Sequence, residues 1–157
     1  MPISSTTTNY SGRKKDIHIF QGVDPSKVSD INPSFGKISN YCAGVQKLVQ
    51  RYAICLLTEL GSQENYPNFG STLFNQLNNR SLSLNRADLF PIFNLASAKV
   101  INEFRAYQAT DVTLPDDEKL NTVLVEDIFL SNSQVQIRVV IYPVATGPVQ
   151  FIIPLPR

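Results

Sequence analysis

Glu59, Glu64, Glu103 and Glu126 are the residues of this chain that come nearest to a catalytic set. Two carboxyls facing each other across a cleft can share the acid and base roles of glycoside hydrolysis. These four show no distinguishing spacing, and most domains of this size carry as many, so solvated or structural roles account for them. His18 is the only histidine. As a general base it would need a nucleophile and an orienting carboxylate. It lies in a polar stretch, where a solvated or interface histidine is the simpler reading. One histidine and two cysteines give no metal-ligand spacing. Gly61 and Gly70 stand alone rather than in a phosphate-cradling loop. The expectation is therefore no catalytic residue, no metal and no cofactor.

The elements that would hold such residues are easier to read. Ile38, Tyr41, Cys42, Val45, Leu48, Val49, Tyr52, Leu56 and Leu60 recur at three-four spacing, which predicts one amphipathic helix. Ser39 or Asn40 would cap its start, and Gly61 sits where a left-handed C-terminal cap belongs. A short helix is expected over 69–77, with Gly70 allowing a positive φ or a close backbone approach and Ser71 able to cap it. Residues 78–84 read as a polar turn. A longer helix follows from near Asp88, with Pro91 in its first turn and Leu89, Phe93, Ala96, Val100, Ile101, Phe104 and Tyr107 on its buried face. The loop 109–119 ends it. The aromatic side chains fall at helical spacings and read as core.

The period then changes from three-four to two. Residues 120–130, 134–142 and 149–153 alternate, with turns at 131–133 and 145–148, which predicts three antiparallel strands. The expected fold class is α+β: N-terminal helices packed on a C-terminal three-stranded antiparallel β-meander, with an extended N-terminal arm. Residues 1–37 are read as arm and loop, with 16–20 a short edge strand or attachment and 22–37 a loop. Residues 38–157 are read as a single domain. Cys42 and Cys55, on one helix, would be about 20 Å apart, too far for a disulfide, so two buried thiols in a reducing compartment are expected.

The 157 residues fit one domain. A net charge of +1 gives no global field favouring nucleic acid or an anionic membrane. No apolar run approaches the roughly 20 residues that span a bilayer, and the first residues lack the apolar core of a signal peptide. Only 17% of residues are charged against 43% hydrophobic, a balance that suits a subunit burying surface in an assembly. Arg13-Lys14-Lys15 is a short basic run, read either as a contact for an acidic partner or as a solvated arm.

One segment carries a resemblance. Leu57-Thr58-Glu59-Leu60-Gly61, a polar gap, then Pro67-Asn68-Phe69-Gly70-Ser71, lie between the long helix and the short one. With the segment order around it, this resembles the baseplate wedge family of contractile phage tails, sheath-initiator subunits that often carry an inherited lysozyme-like label and are related to type VI secretion baseplate subunits. The matching motif residues are Leu57, Thr58, Gly61, Pro67, Phe69, Gly70 and Ser71. The family's Glu-Pro-Arg signature is not reproduced, since Glu103-Phe104-Arg105 lacks the proline and lies within a predicted helix. Its partner-binding role is therefore not carried onto Glu103 and Arg105.

The resemblance implies a structural, non-enzymatic role in the virion tail baseplate, with assembly in the host cytoplasm. The implied partners are the tail sheath protein and other wedge, tube and hub proteins, with several copies (about six) around the tail axis. A small meander has open edges, and an open edge accepts a neighbour's strand through main-chain hydrogen bonds. The expected edge residues are Gln134, Gln136 and Arg138 on the second strand and Val149, Phe151 and Ile153 on the third. The alternative that follows the inherited label is a cell-wall glycoside hydrolase of the tail.

Overall fold

The computed structural model describes residues 13–14, 16–17, 20–21, 29–30, 32–33, 41–78, 85–132 and 134–156. The expected arm tip 1–12, together with Lys15, His18, Ser39, Asn40 and the turn 79–84, lies outside these.

The fold is α+β, as its change of period implies. Three helices, α1 (Val45–Leu57), α2 (Leu73–Asn78) and α3 (Arg86–Thr110), precede the strands β6 (Leu120–Leu130), β7 (Gln134–Pro143) and β8 (Val149–Pro156). These three strands form the expected antiparallel meander. Ahead of the helices come five two-residue strands: β1 (Asp16–Ile17), β2 (Phe20–Gln21), β3 (Ser29–Asp30), β4 (Asn32–Pro33) and β5 (Tyr41–Cys42). β1 pairs with β5 and β2 with β4, while β3 adds to the meander as a fourth strand parallel to β8. The stretch 22–37, expected as loop, thus contributes a strand to the main sheet.

Helix α1 begins later than its apolar stripe predicts. Tyr41 and Cys42 belong to β5, and Gly44, at φ +65°, is the N-cap. A periodic stripe does not distinguish a helix from the strand end before it: Cys42 is buried with the apolar side of α1, whereas Tyr41 is exposed. The C-terminal end also differs. Thr58 is the C-cap, in an extended conformation, and Gly61 lies three residues further on in the turn. Helix α3 starts two residues before Asp88, with Asn85 accepting the Asp88 N–H at 2.9 Å as its N-cap. Pro91 consequently falls in the second turn, where its missing N–H leaves the carbonyl of exposed Ala87 to water.

The core lies between the helices and one face of the sheet. Leu48, Tyr52 and Leu56 of α1, and Leu89, Phe93, Ala96 and Val100 of α3, bury against Ile137, Val139 and Ile141 of β7 and Val149, Phe151 and Ile153 of β8. Tyr52 sits at the centre, edge-on to Phe104 at 6.5 Å and to Phe151 at 6.2 Å between ring centroids. Such edge contacts add about 1 kcal/mol each beyond burial. Its hydroxyl meets the Ser97 Oγ at 2.8 Å, so neither buried oxygen lacks a partner. Burial pushes the Tyr52 phenol well above its ordinary range, partly offset by that bond.

Candidate functional site

The segment 57–71 is a clasp between two helix ends. Helices leave their last carbonyls without partners, and here the following turn supplies them. The Ile54 carbonyl accepts from the Thr58 N–H at 2.9 Å and from the Thr58 hydroxyl at 2.7 Å. The Leu56 carbonyl accepts from the Ser71 hydroxyl at 2.6 Å. The same Ser71 oxygen accepts the Leu73 N–H at 3.2 Å, capping α2 as expected. Ser71 N–H to Thr58 O (2.8 Å) and Leu60 N–H to Ser71 O (3.0 Å) make a short parallel bridge. Gly70 has φ +115°, and a Cβ there would stand 2.8 Å from the Thr58 oxygen and 2.9 Å from that of Glu59. Only glycine fits both the conformation and the approach. Leu57 and Phe69 pack on the core, whereas Gly61 and Pro67 are exposed in the turn. The contacts of Thr58, Gly70 and Ser71 are all internal to the fold.

The carboxylates are scattered. Glu59 and Glu64 are exposed along the clasp, Glu103 pairs with Lys99 at 3.8 Å one helical turn away, and Glu126 projects from β6. Arg105 donates from α3 to the Asn121 carbonyl at 3.4 Å. Among the described residues no group of three or more histidine, cysteine or acidic residues is arranged to hold a metal ion. Cys42 and Cys55 are free and buried; desolvation, with a lesser contribution from nearby Asp16, pushes the Cys42 thiol up to about 11. Desolvation raises the Cys55 thiol as well.

The basic run is partly engaged within the chain. Arg13 grips both Asp117 oxygens, at 2.8 and 3.0 Å, and the Lys14 ammonium lies 3.9 Å from Asp111. The Thr113 hydroxyl and N–H hold the Asp111 carboxyl below its usual range. Behind them is a buried pair that the sequence reading missed. Lys47 on α1 donates to Glu118 at 2.9 Å and to the Lys14 carbonyl at 3.0 Å, while Glu118 also accepts the Gly44 N–H at 3.1 Å. Gln50 completes the strap by donating to the Ile17 carbonyl at 2.7 Å. Lys47 falls on the face of α1 opposite the apolar stripe, where a solvated lysine is the ordinary expectation, so the sequence carried no signal of its burial. Its partner, far along the chain, had none either.

The sheet edges differ from the sequence expectation. β7 pairs with β6 on one side and β8 on the other, so Gln134, Gln136 and Arg138 stand on the central strand and offer no edge. The second strand of a meander is central by chain order. Alternation marks a half-buried strand, not an edge strand. Val149, Phe151 and Ile153 are on β8, with their side chains buried in the core.

The prolines show which way each main chain faces. Pro154 lies opposite Gln136 and Pro156 opposite Gln134. A proline has no N–H to exchange, so these are positions whose main chain points away from β7. By alternation Gln150, Ile152, Pro154 and Pro156 face the outer side of β8. Two of these four lack a donor, and β3 pairs beside a third at Phe151 and Ile152. On β7 the even-numbered residues therefore bond to β6, which leaves Leu120, Val123, Val125, Ile128 and Leu130 of β6 facing outward. The Leu120 carbonyl accepts from Gln108 at 3.2 Å, consistent with that assignment. From Val123 onward no strand among the described residues pairs with this side. β6 also has irregular register between Val125 and Asp127, where Glu126 is the extra residue of a bulge.

Comparison of the chain with protein-family models, with curated proteins and with solved structures gave no match.

Proposed function

We propose that this chain is a non-enzymatic structural subunit of a contractile phage tail baseplate, which joins the inner baseplate and tube to the sheath and starts sheath polymerisation by accepting a strand at β6. The observation that carries the reading is the outward-facing main chain of Val123, Val125, Ile128 and Leu130, none of them proline, with the Ile128 N–H held by the neighbouring Asp127 carboxylate and no strand beside this side among the described residues. An extended segment laid there gains main-chain hydrogen bonds in the manner of strand addition. The added β3 strand supports the same reading, because it shows this sheet accepting an extended segment at its other edge. The resemblance of Leu57–Ser71 supplies the biological setting, in which the sheath protein provides the arm and the subunit works in several copies within the virion tail. In this reading the clasp is a scaffold, and the sheet edge does the work.

The test uses whole particles carrying Val123→Pro together with Leu130→Pro. Each substitution removes an outward N–H without removing a β6–β7 bond. Electron microscopy is expected to show baseplates and tubes without sheath. Normal sheath on particles that contain the folded variant would overturn the proposal. So would peptidoglycan clearing by the purified chain that is abolished by Glu59→Gln, Glu64→Gln, Glu103→Gln or Glu126→Gln, which would restore the hydrolase alternative.

A further inference from the structure

Three of the large apolar side chains left exposed on this molecule lie on one strand, β6: Leu124 (51%), Phe129 (40%) and Leu130 (36%). Between them stands the bulged Glu126. Its nearest cation is Arg138, whose Nε is 4.0 Å away, too far for a hydrogen bond. The Arg138 guanidinium instead lies over the Phe129 ring at 5.0 Å, and its buried Nε has no hydrogen-bond partner among the described residues. The neighbouring Asp127 is already engaged, by Arg86 from the start of α3 and by the Ile128 N–H. Glu126 is therefore the carboxylate of this edge with capacity to spare, and apolar surface flanks it along the strand.

Resting on the strand-acceptor reading, we infer that β6 selects a basic, apolar-flanked strand from a different protein and rejects a second copy of this chain. The open stretch 122–130 has Glu126 at its midpoint. Two copies pairing antiparallel with outward residues opposite one another, Val123 against Leu130 and Val125 against Ile128, would bring Glu126 of each copy against Asp127 of the other, and like charges directly opposite oppose pairing. A strand with lysine or arginine at that point meets the opposite sign, while its apolar neighbours cover Leu124 and Phe129. The bulge and the carboxylate thus act together, discouraging self-association while leaving the edge usable.

Two synthetic peptides test this, both alternating valine and threonine over the length of the open stretch, one with lysine and one with glutamate at the centre. Binding is followed by the amide NMR shifts of the full chain. The lysine peptide is expected to bind about five-fold tighter and to shift Val123 and Val125. Glu126→Lys reverses the preference by a similar factor, and molar salt removes it. Sedimentation of the wild type is expected to show a monomer, and Glu126→Val to show dimers at the same concentration. Equal binding of the two peptides, no binding of either, shifts confined to Gln150 and Ile152, or a wild-type dimer through β6 would each overturn the inference. These readouts are taken in solution, so they fail separately from sheath assembly. A charge preference at β6 survives even if the particle experiment shows normal sheath.

Discussion

The two edges of the sheet are built in opposite ways. Along β8 the outward side carries two prolines and a short strand from the chain's own N-terminal region. Along β6 the outward side has no proline, the Ile128 N–H is held by Asp127, and the neighbouring side chains include exposed Leu124 and Phe129. Free edges invite unwanted pairing, and proteins close them with prolines, charges, bulges or a covering strand. β8 uses a covering strand and prolines, which block any incoming strand. β6 carries a bulge and a charge, which under the proposal above select among strands. Under the proposed function, β6 is the edge kept for use.

The strap that brings the N-terminal segment to the body offers the largest test of that contrast. Glu118→Gln strips the buried Lys47 of its counter-charge, and removal of one member of such a pair costs about 4 kcal/mol. The expected result in urea unfolding is a loss of that size. If the strap also holds β3 in place, hydrogen exchange at Ile152 rises more than at Ile137. Equal protection at the two sites would separate the strap from the covered edge.

Proline placed at adjacent positions of β6 should give unequal effects. Leu124 faces β7 and Val123 faces outward, so Leu124→Pro breaks the ladder and leaves the Val140 carbonyl without its partner, at a cost of about 2 kcal/mol. Val123→Pro is expected to cost less than about 1 kcal/mol. Thermal unfolding of the pair checks the direction assigned to each main-chain group, and the opposite order would reverse which residues face the open edge.

Ser71→Ala removes the α2 cap and the donor to the Leu56 carbonyl, for a loss of about 1.5 kcal/mol. Peptide binding at β6 should be unchanged in that variant, because the clasp supports the fold and lies apart from the edge. Parallel loss of both would place the clasp in the binding surface.

The smallest effect lies at alkaline pH. Cys42 ionises in the unfolded chain near its ordinary value and in the folded chain only near about 11. The unfolded state therefore loses its proton first. Stability that is intact below about pH 9 should decline between there and pH 11. Tyr52 and Cys55, raised in the same sense, deepen the fall. Cys42→Ser should flatten that decline near its start, as read from urea midpoints across the range.

Much of this fold is legible in the sequence, for physical reasons that particular residues show. β7 announces itself because one buried face imposes alternation, as in Val135, Ile137, Val139 and Ile141, while β6 is legible despite the bulge at Glu126 that shifts its alternation. Gly70 and Ser71 are readable because their roles are local. The helix start was not: Cys42 is buried with the apolar side of α1 although it lies in β5, ahead of the N-cap Gly44, and Tyr41 is exposed. Nor was β3, whose two residues carry no pattern and pair with strand residues more than a hundred positions away. The edge was misplaced onto Gln134, Gln136 and Arg138, although chain order makes β7 central. Glu118 falls in the stretch 109–119, read only as a loop, and the fold is what brings Lys47 to it.

The account rests on β6, rather than β8, being the edge that receives a partner strand. Co-sedimentation of purified sheath protein with the chain, compared between Val123→Pro and Gln150→Pro, tests this most directly. Each substitution removes one outward donor, the first from β6 and the second from β8. Val123→Pro is expected to abolish co-sedimentation while Gln150→Pro retains it. Retention by Val123→Pro with loss in Gln150→Pro would contradict that expectation.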